Sequence, residues 1–232
     1  MTEDVGFIFD MDGTIVDNMR VHNQIWQTVL ADEGVLIELD EFNRQTTGKK
    51  TFEILRLYLG EKATEEEISR ISEKKEAIYR RVFRPYLRAI AGLPGFLDQA
   101  RRLHIPLALA TSAGKVNIDY TLSGTGLTDY FDVLVGAEDV SKGKPDPEIF
   151  LVAAQRLGVL PQHCLVFEDA LLGLEAACRA GMKGIAISTT LSAKDFEGVC
   201  PVVEVAPDFM DLHPAQIIRL FYEQDGATPA SG

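Results

Sequence analysis

With 232 residues, the chain has room for one large domain, or for a core domain carrying a smaller insert. Its 46% apolar and 25% charged content is that of a globular protein, and a net charge of −12 argues against nucleic acid as a partner. No apolar run reaches the ~18 residues needed to span a bilayer, and the acidic start Met1-Thr-Glu-Asp4 is unlike a secretory signal.

The three cysteines, Cys164, Cys178 and Cys200, lack metal-type spacing, which points to buried free thiols in a reducing cytoplasm.

The first element is Phe7-Ile8-Phe9, an apolar, aromatic and β-branched run that predicts a buried strand. It stops at Asp10-Met-Asp12, followed by the turn signal Gly13-Thr14. Residues 20–34 have helical periodicity, with Val21, Ile25, Val29 and Leu30 on one face and Gly34 as the stop. Leu39 to Thr47 predicts a second helix broken by Gly48, and Thr51 to Leu59 a third, with Phe52, Leu55 and Leu59 aligned. Thr64 and Glu67 form a capping box. It opens a long helix through Ile68, Ile71, Ile78 and Val82 that ends before Pro85.

From Gly92 onward helix and strand alternate. The predicted helices are Phe96 to Leu103, Val116 to Leu122, Ile149 to Leu157, Ala170 to Ala180 and Ala215 to Tyr222. The predicted strands are Pro106 to Thr111, Phe131 to Val135, Cys164 to Phe167, Gly184 to Ile187 and an edge strand Val202 to Val205. Such alternation implies a parallel α/β sheet of Rossmann-like type, with helices on both faces and right-handed crossovers. The segment 18–87 shows no strand signal and reads as an all-helical, four-helix insert between the core segments 1–17 and 88–232. Residues 225–232 read as a disordered tail. Charge divides along the same line: residues 18–86 hold 12 basic and 12 acidic side chains, so the deficit lies wholly in the core. Inserted after the first strand, the helices are expected to cap the functional edge of the sheet.

Two acids at one strand end are also a common way to leave a sheet. Here, however, four polar clusters follow four predicted strands. They are Asp10-Met-Asp12-Gly-Thr, Thr111-Ser112-Ala113, Gly143-Lys144-Pro-Asp-Pro147 and Phe167-Glu168-Asp169-Ala. In an open parallel sheet, ligands bind at these ends. On these motifs, over essentially all of residues 5–224, the chain resembles the haloacid dehalogenase-like phosphatases, and within them the β-phosphoglucomutase-like subgroup with its helical cap.

The resemblance implies Asp10 as the nucleophile, ionised without help from a base and forming an aspartyl-phosphate. Asp12 is implied as the acid that protonates the leaving group and then deprotonates water. It further implies Mg²⁺ as cofactor, held by Asp10, Asp169 and the Asp12 carbonyl, with Glu168 in direct or water-mediated contact. Ser112, flanked by Thr111 and Ala113, is implied to contact the phosphoryl group, and Lys144 to supply charge opposite its oxygens. Lys142 reads as a solvated loop lysine. Carbon–halogen cleavage, the activity in the family's name, needs neither the second Asp nor a metal site, so Asp12 and Glu168-Asp169 speak against it. The complete set of four motifs speaks against a catalytically silent binding module.

The substrate is expected to be a small phosphorylated metabolite, a sugar phosphate first, with the protein a monomer and neither membrane nor nucleic acid as partner. Hydrolysis and intramolecular transfer share this core. β-Phosphoglucomutase activity, the alternative, needs a cap cation for the second phosphate. Gly48-Lys49-Lys50 at a helix start suits an anion. In the mutases, though, a cap arginine stands where Thr51 stands here. His22 and Lys75 match cap and hinge positions of the subgroup, and Lys115 resembles a substrate-contacting lysine. Pyrophosphate hydrolysis is a third possibility on the same fold.

Overall fold

Phe7, Ile8 and Phe9 lie at the centre of a sheet because every residue in the run is apolar and both of its faces can be covered. The computed structural model describes residues 5–199 and 201–223. In chain order it runs β1 (Gly6–Phe9), α1 (Met19–Asp32), α2 (Leu39–Thr46), α3 (Thr51–Leu59), α4 (Glu65–Phe83) and α5 (Leu93–Arg102). Then follow β2 (Leu107–Ala110), α6 (Lys115–Thr125), β3 (Val133–Val135), α7 (Glu148–Leu157), β4 (Cys164–Glu168), α8 (Leu171–Arg179), β5 (Lys183–Ile187), β6 (Val202–Ala206) and α9 (Pro214–Glu223). Cys200 and the tail 225–232 lie outside the described residues.

The six strands are all parallel, in the order β3-β2-β1-β4-β5-β6. After β3 the chain crosses to the other side of β1, so the order reverses between β1 and β4. That reversal opens the crevice where such sheets bind ligands. The register pairs Phe9 with both Leu109 and Phe167, which brings Asp10 level with Glu168 and one residue short of Thr111.

The period of two in the strands divides the core. Phe7, Phe9, Leu107, Leu109, Leu165 and Phe167 face one side, packing with Leu93, Phe96 and Leu97 of α5 and Ile217 and Phe221 of α9. Phe9 and Phe167 stack with centroids 4.3 Å apart and planes 5° from parallel, which stiffens the two strands that end in acids. Ile8, Ala108, Ala110 and Val166 face the other side. There the alanines of α7 and α8 let both helices lie close against the sheet.

The helices α1 to α4 follow one another between β1 and α5 with no strand among them, the segment read as an insert, and their apolar faces join the first core cluster through Ile25, Trp26, Ile54, Leu55, Ile68, Ile71 and Tyr79. Two expected faces turn out rotated. Phe52 is exposed, with Arg56 stacked over its ring at 5.3 Å, and the buried pair of α3 is Ile54 and Leu55. In α4 the buried stripe is Ile68, Ile71, Lys75, Tyr79 and Phe83, while Val82 is exposed. A lysine in that stripe hid it from hydropathy. Helix α5 begins three residues earlier than expected, because Pro94 is tolerated in a first turn and Gly92 supplies the left-handed residue before it. Cys178 is exposed, not buried, whereas Cys164 is enclosed in the core, its thiol pushed up to about 12 by burial.

Candidate active site

Three strand ends deliver the acids and the lysine to one point. Asp10 follows β1, its N–H donating to the Phe167 carbonyl at 2.9 Å. Lys144, from the loop before α7, has a fully buried side chain. Its Nζ donates to Asp10 Oδ1 at 2.5 Å and to Glu168 Oε1 at 2.6 Å, and lies 5.0 Å from the Phe150 ring. Glu168 uses its other oxygen to accept from the Ala170 N–H at 2.7 Å. Asp169, next in the chain, accepts from the Thr190 hydroxyl.

Ligand oxygens of Asp10, Glu168 and Asp169 all lie within 4.8 Å of one another. Removal from water pushes Asp10 up to about 8, with Glu168 and Asp12 adding to the rise and Lys144 opposing it. Asp169 is raised by burial and by Glu168 and Asp10. Burial would lower the Lys144 ammonium, but the Asp10 and Glu168 carboxylates outweigh it and hold the proton on. Three buried carboxylates against one lysine leave negative charge uncompensated. An all-oxygen donor set of this kind fits a hard divalent cation.

Two glycines make room for the cluster. Gly13 has φ of +80°, and a Cβ there would meet Asp169 Oδ2 at 2.0 Å; a Cβ at Gly173 would meet Glu168 Oε1 at 1.8 Å. Gly13→Ala is expected to destabilise the fold by at least about 1 kcal/mol through the left-handed φ alone. Displacement of Asp169 should lower activity as well. Urea titration and a phosphate-release assay would check both, and native values for the two would refute the close approach.

Asp12 is held from the insert side. Asn18, just before α1, donates to Asp12 Oδ1 at 2.6 Å and to the Tyr79 hydroxyl at 2.7 Å, while its own Oδ1 accepts from the Gly13 N–H at 3.2 Å. His22 stacks on Tyr79 at 4.1 Å, and its Nε2 is 3.7 Å from Asp12 Oδ1, beyond direct hydrogen-bond distance. Lys75 Nζ lies 3.0 Å from His22 Nδ1. An ammonium only donates, so Nδ1 is the acceptor and the ring proton sits on Nε2, toward Asp12. Burial works to raise Asp12, but His22, Asn18 and the Lys75 charge together hold its carboxyl below the usual range. Asn18→Ala removes one of these supports. Asp12 must carry its proton when the leaving group departs, so the alkaline limb of the kcat/KM profile is expected to move to higher pH, and an unmoved limb would deny Asn18 that role.

The cleft over these groups is lined by Asp10, Asp12, Thr111, Ser112, Ala113, Glu168 and Asp169 from the core, and by His22, Gly48, Lys49, Thr51 and Lys75 from the insert. Ser112 Oγ donates to the Gly48 carbonyl at 2.5 Å, tying the insert to the core beside Lys144. Thr111 Oγ1 accepts from the Ala113 N–H at 3.1 Å. Three residues expected here do not join the lining, and one of them, Lys144, lies enclosed behind Asp10 and Glu168. Lys50 reaches away to the Val140 carbonyl at 2.5 Å, and Lys115 is exposed and paired with Asp119 at 2.8 Å. Lys142, taken as a solvated lysine, is exposed.

Nothing in the local sequence singles out Thr190, Glu76 or Asn117. Asn18 follows the first motif closely enough that its helix-start position was a usable clue. The other three come together only through the fold.

The sequence profile of the family described as haloacid dehalogenase-like hydrolase matches residues 7–187. The chain is 33% identical over 182 residues to fructose-1-phosphate phosphatase YqaB of Escherichia coli (strain K12), spanning 78% of this chain and 94% of that protein. It is 32% identical over 178 residues to a phosphorylated carbohydrates phosphatase of Thermotoga maritima, spanning 77% and 82%. Among solved structures, a β-phosphoglucomutase from Clostridium difficile superposes with a TM-score of 0.84 at 26% identity, over 95% of this chain and 98% of that one. The strand order, the buried acids at its reversal point and these likenesses agree, and the chain belongs to the haloacid dehalogenase-like hydrolases.

Proposed function

We propose that the protein is a Mg²⁺-dependent phosphatase of small phosphorylated metabolites, most of all sugar phosphates, working through an aspartyl-phosphate on Asp10. The observation that carries this reading is Lys144, fully buried and bonded to Asp10 and Glu168, two of the acids that line the cleft. The relatives that act on fructose 1-phosphate and on phosphorylated carbohydrates support the substrate class.

Asp10, Asp169 and the Asp12 carbonyl would hold the Mg²⁺, with Glu168, whose oxygens already serve Lys144 and the Ala170 N–H, contributing directly or through water. The ion supplies positive charge that favours the ionised, nucleophilic form of Asp10 and screens the phosphoryl group.

The remaining work falls to the chain. Asp10 attacks phosphorus in line, and the bond to the leaving oxygen breaks. Lys144 and the Ser112 region donate to the phosphoryl oxygens as charge spreads over them. Asp12 hands a proton to the leaving alkoxide and later takes one from the attacking water. The low-lying carboxyl of Asp12 suits the second task. A phosphate dianion brought beside it raises its proton affinity for the first. Helices α1 to α4, as the cap, keep bulk water away and hold the distal part of the substrate.

Mutase activity is the second reading, favoured by the likeness to the Clostridium difficile enzyme and by Lys49 in the cleft lining. Against it, the position of the expected arginine holds Thr51, whose hydroxyl donates to Glu76 at 2.9 Å. The test is incubation with Mg²⁺ and a panel of sugar phosphates, including β-glucose 1-phosphate primed with the 1,6-bisphosphate. Free phosphate should exceed any glucose 6-phosphate formed. Isomerised product outpacing free phosphate would overturn the phosphatase reading.

A further inference from the structure

Glu76 stands in the cleft wall among residues from three elements. Its Oε1 accepts from Lys75 Nζ at 2.8 Å and from the Thr51 hydroxyl at 2.9 Å, and its Oε2 accepts from the Asn117 side-chain amide at 2.6 Å. Arg80 steadies that amide from the other side, at 2.7 Å. Lys75 is on α4, Thr51 on α3 and Asn117 on the core helix α6, so the carboxylate closes the cleft where insert meets core. About a fifth of the Glu76 side chain remains open to the cleft. Burial would raise its carboxyl, but the Lys75 charge and the hydrogen bonds from Lys75 and Asn117 outweigh it and keep the group ionised.

Charge in the lining and just behind it is therefore distributed unevenly. Lys75 is neutralised by Glu76, and Lys144 by Asp10 and Glu168. Among the described residues, Lys49 is the one lining cation with no ion pair, and it follows Gly48, which packs against Lys144 and accepts from Ser112 at the reacting end. One phosphoryl group is thus provided for. A second, at the far end of a substrate, would meet an ionised carboxylate and a lysine already paired. A hydroxyl there would meet an acceptor: a carboxylate offers about four lone-pair sites, of which Lys75, Thr51 and Asn117 occupy three.

Resting on the reading of the cleft as a phosphomonoester site, we propose that Glu76 is a specificity-determining residue. It admits monophosphates whose distal end carries hydroxyl groups and turns away substrates with a second phosphate. The rejection is electrostatic, with like charges meeting in a partly buried site.

Binding tests this separately from turnover. In the Asp10→Asn protein with Mg²⁺, calorimetry would measure the affinity of a hexose monophosphate and of the corresponding hexose bisphosphate. The monophosphate should bind at least tenfold more tightly. Adding Glu76→Gln should shrink that preference at least fivefold, and Glu76→Asp, which keeps the charge, should retain most of it. Equal or tighter binding of the bisphosphate to the Asp10→Asn protein overturns the proposal without recourse to any Glu76 variant. So does a preference that Glu76→Gln leaves unchanged, or a failure of both ligands to bind. If the native protein releases no phosphate from the monophosphate while the affinity ratio behaves as stated, the phosphatase reading fails and the role of Glu76 stands.

Discussion

Asp10→Asn is expected to lower kcat by at least about 10⁴-fold on every phosphomonoester the protein accepts. An amide is isosteric with the carboxylate but has no anionic oxygen to attack phosphorus, and it is a poor metal ligand. The fold should survive. In the native protein Lys144 is shared by two carboxylates, and with Asn at position 10 it still pairs with Glu168 at 2.6 Å. The substitution also removes one of the buried carboxyls that crowd each other, the one burial has already pushed up to about 8. The melting temperature in chelator should therefore not fall, while the stabilisation added by Mg²⁺ should shrink. Steady-state phosphate release and thermal melts with and without Mg²⁺ read the two effects. Residual activity above a thousandth of native would mean another group attacks.

Lys144→Met should have the other large effect, and on two properties together. The ammonium is fully enclosed and is hydrogen-bonded to two carboxylates. Deleting it leaves two crowded buried carboxyls without a counter-charge, one of which must take up a proton, at a cost of about 3–5 kcal/mol. For a domain of this size that corresponds to a fall of roughly 6–20 °C in melting temperature. Catalysis should drop by about 10²–10³-fold through loss of charge opposite the phosphoryl oxygens. The two can be told apart by adding metal. Mg²⁺ restores positive charge to the carboxylates, so it should stabilise the variant more than the native protein in differential scanning calorimetry. Equal stabilisation of both would argue that the lysine and the ion do not share these acids.

The parallel α/β plan was legible because each buried strand is a short apolar run bounded by turn residues, and each helix repeats its apolar positions with its own period. Phe7 to Phe9, Leu107 to Ala110 and Cys164 to Glu168 carry that signal locally. So do the polar residues that end them, since a strand that stops on Asp10 or Glu168-Asp169 announces its functional edge. Pattern alone also delimited the strand-free segment that became α1 to α4.

The faces of those helices were less legible. Phe52 and Val82 are apolar yet exposed, and Lys75 is charged yet buried, because a site beneath the helix decides which side turns inward. Hydropathy cannot register that choice. The same reason hid Asn117, Thr190 and Glu76, polar residues whose partners lie far along the chain or in another element.

Local patterning located Asp10, Asp12 and Asp169 as acids at or just past strand ends and Lys144 as a lysine in the loop after β3, and the family resemblance supplied their expected roles. That Lys144 sits between Asp10 and Glu168, that Lys50 and Lys115 stand outside the cleft, and that Lys75 is matched by Glu76 were decided by the tertiary structure. Each depends on the packing of distant segments, which sets distance, burial and charge balance together, and no stretch of chain carries those quantities by itself.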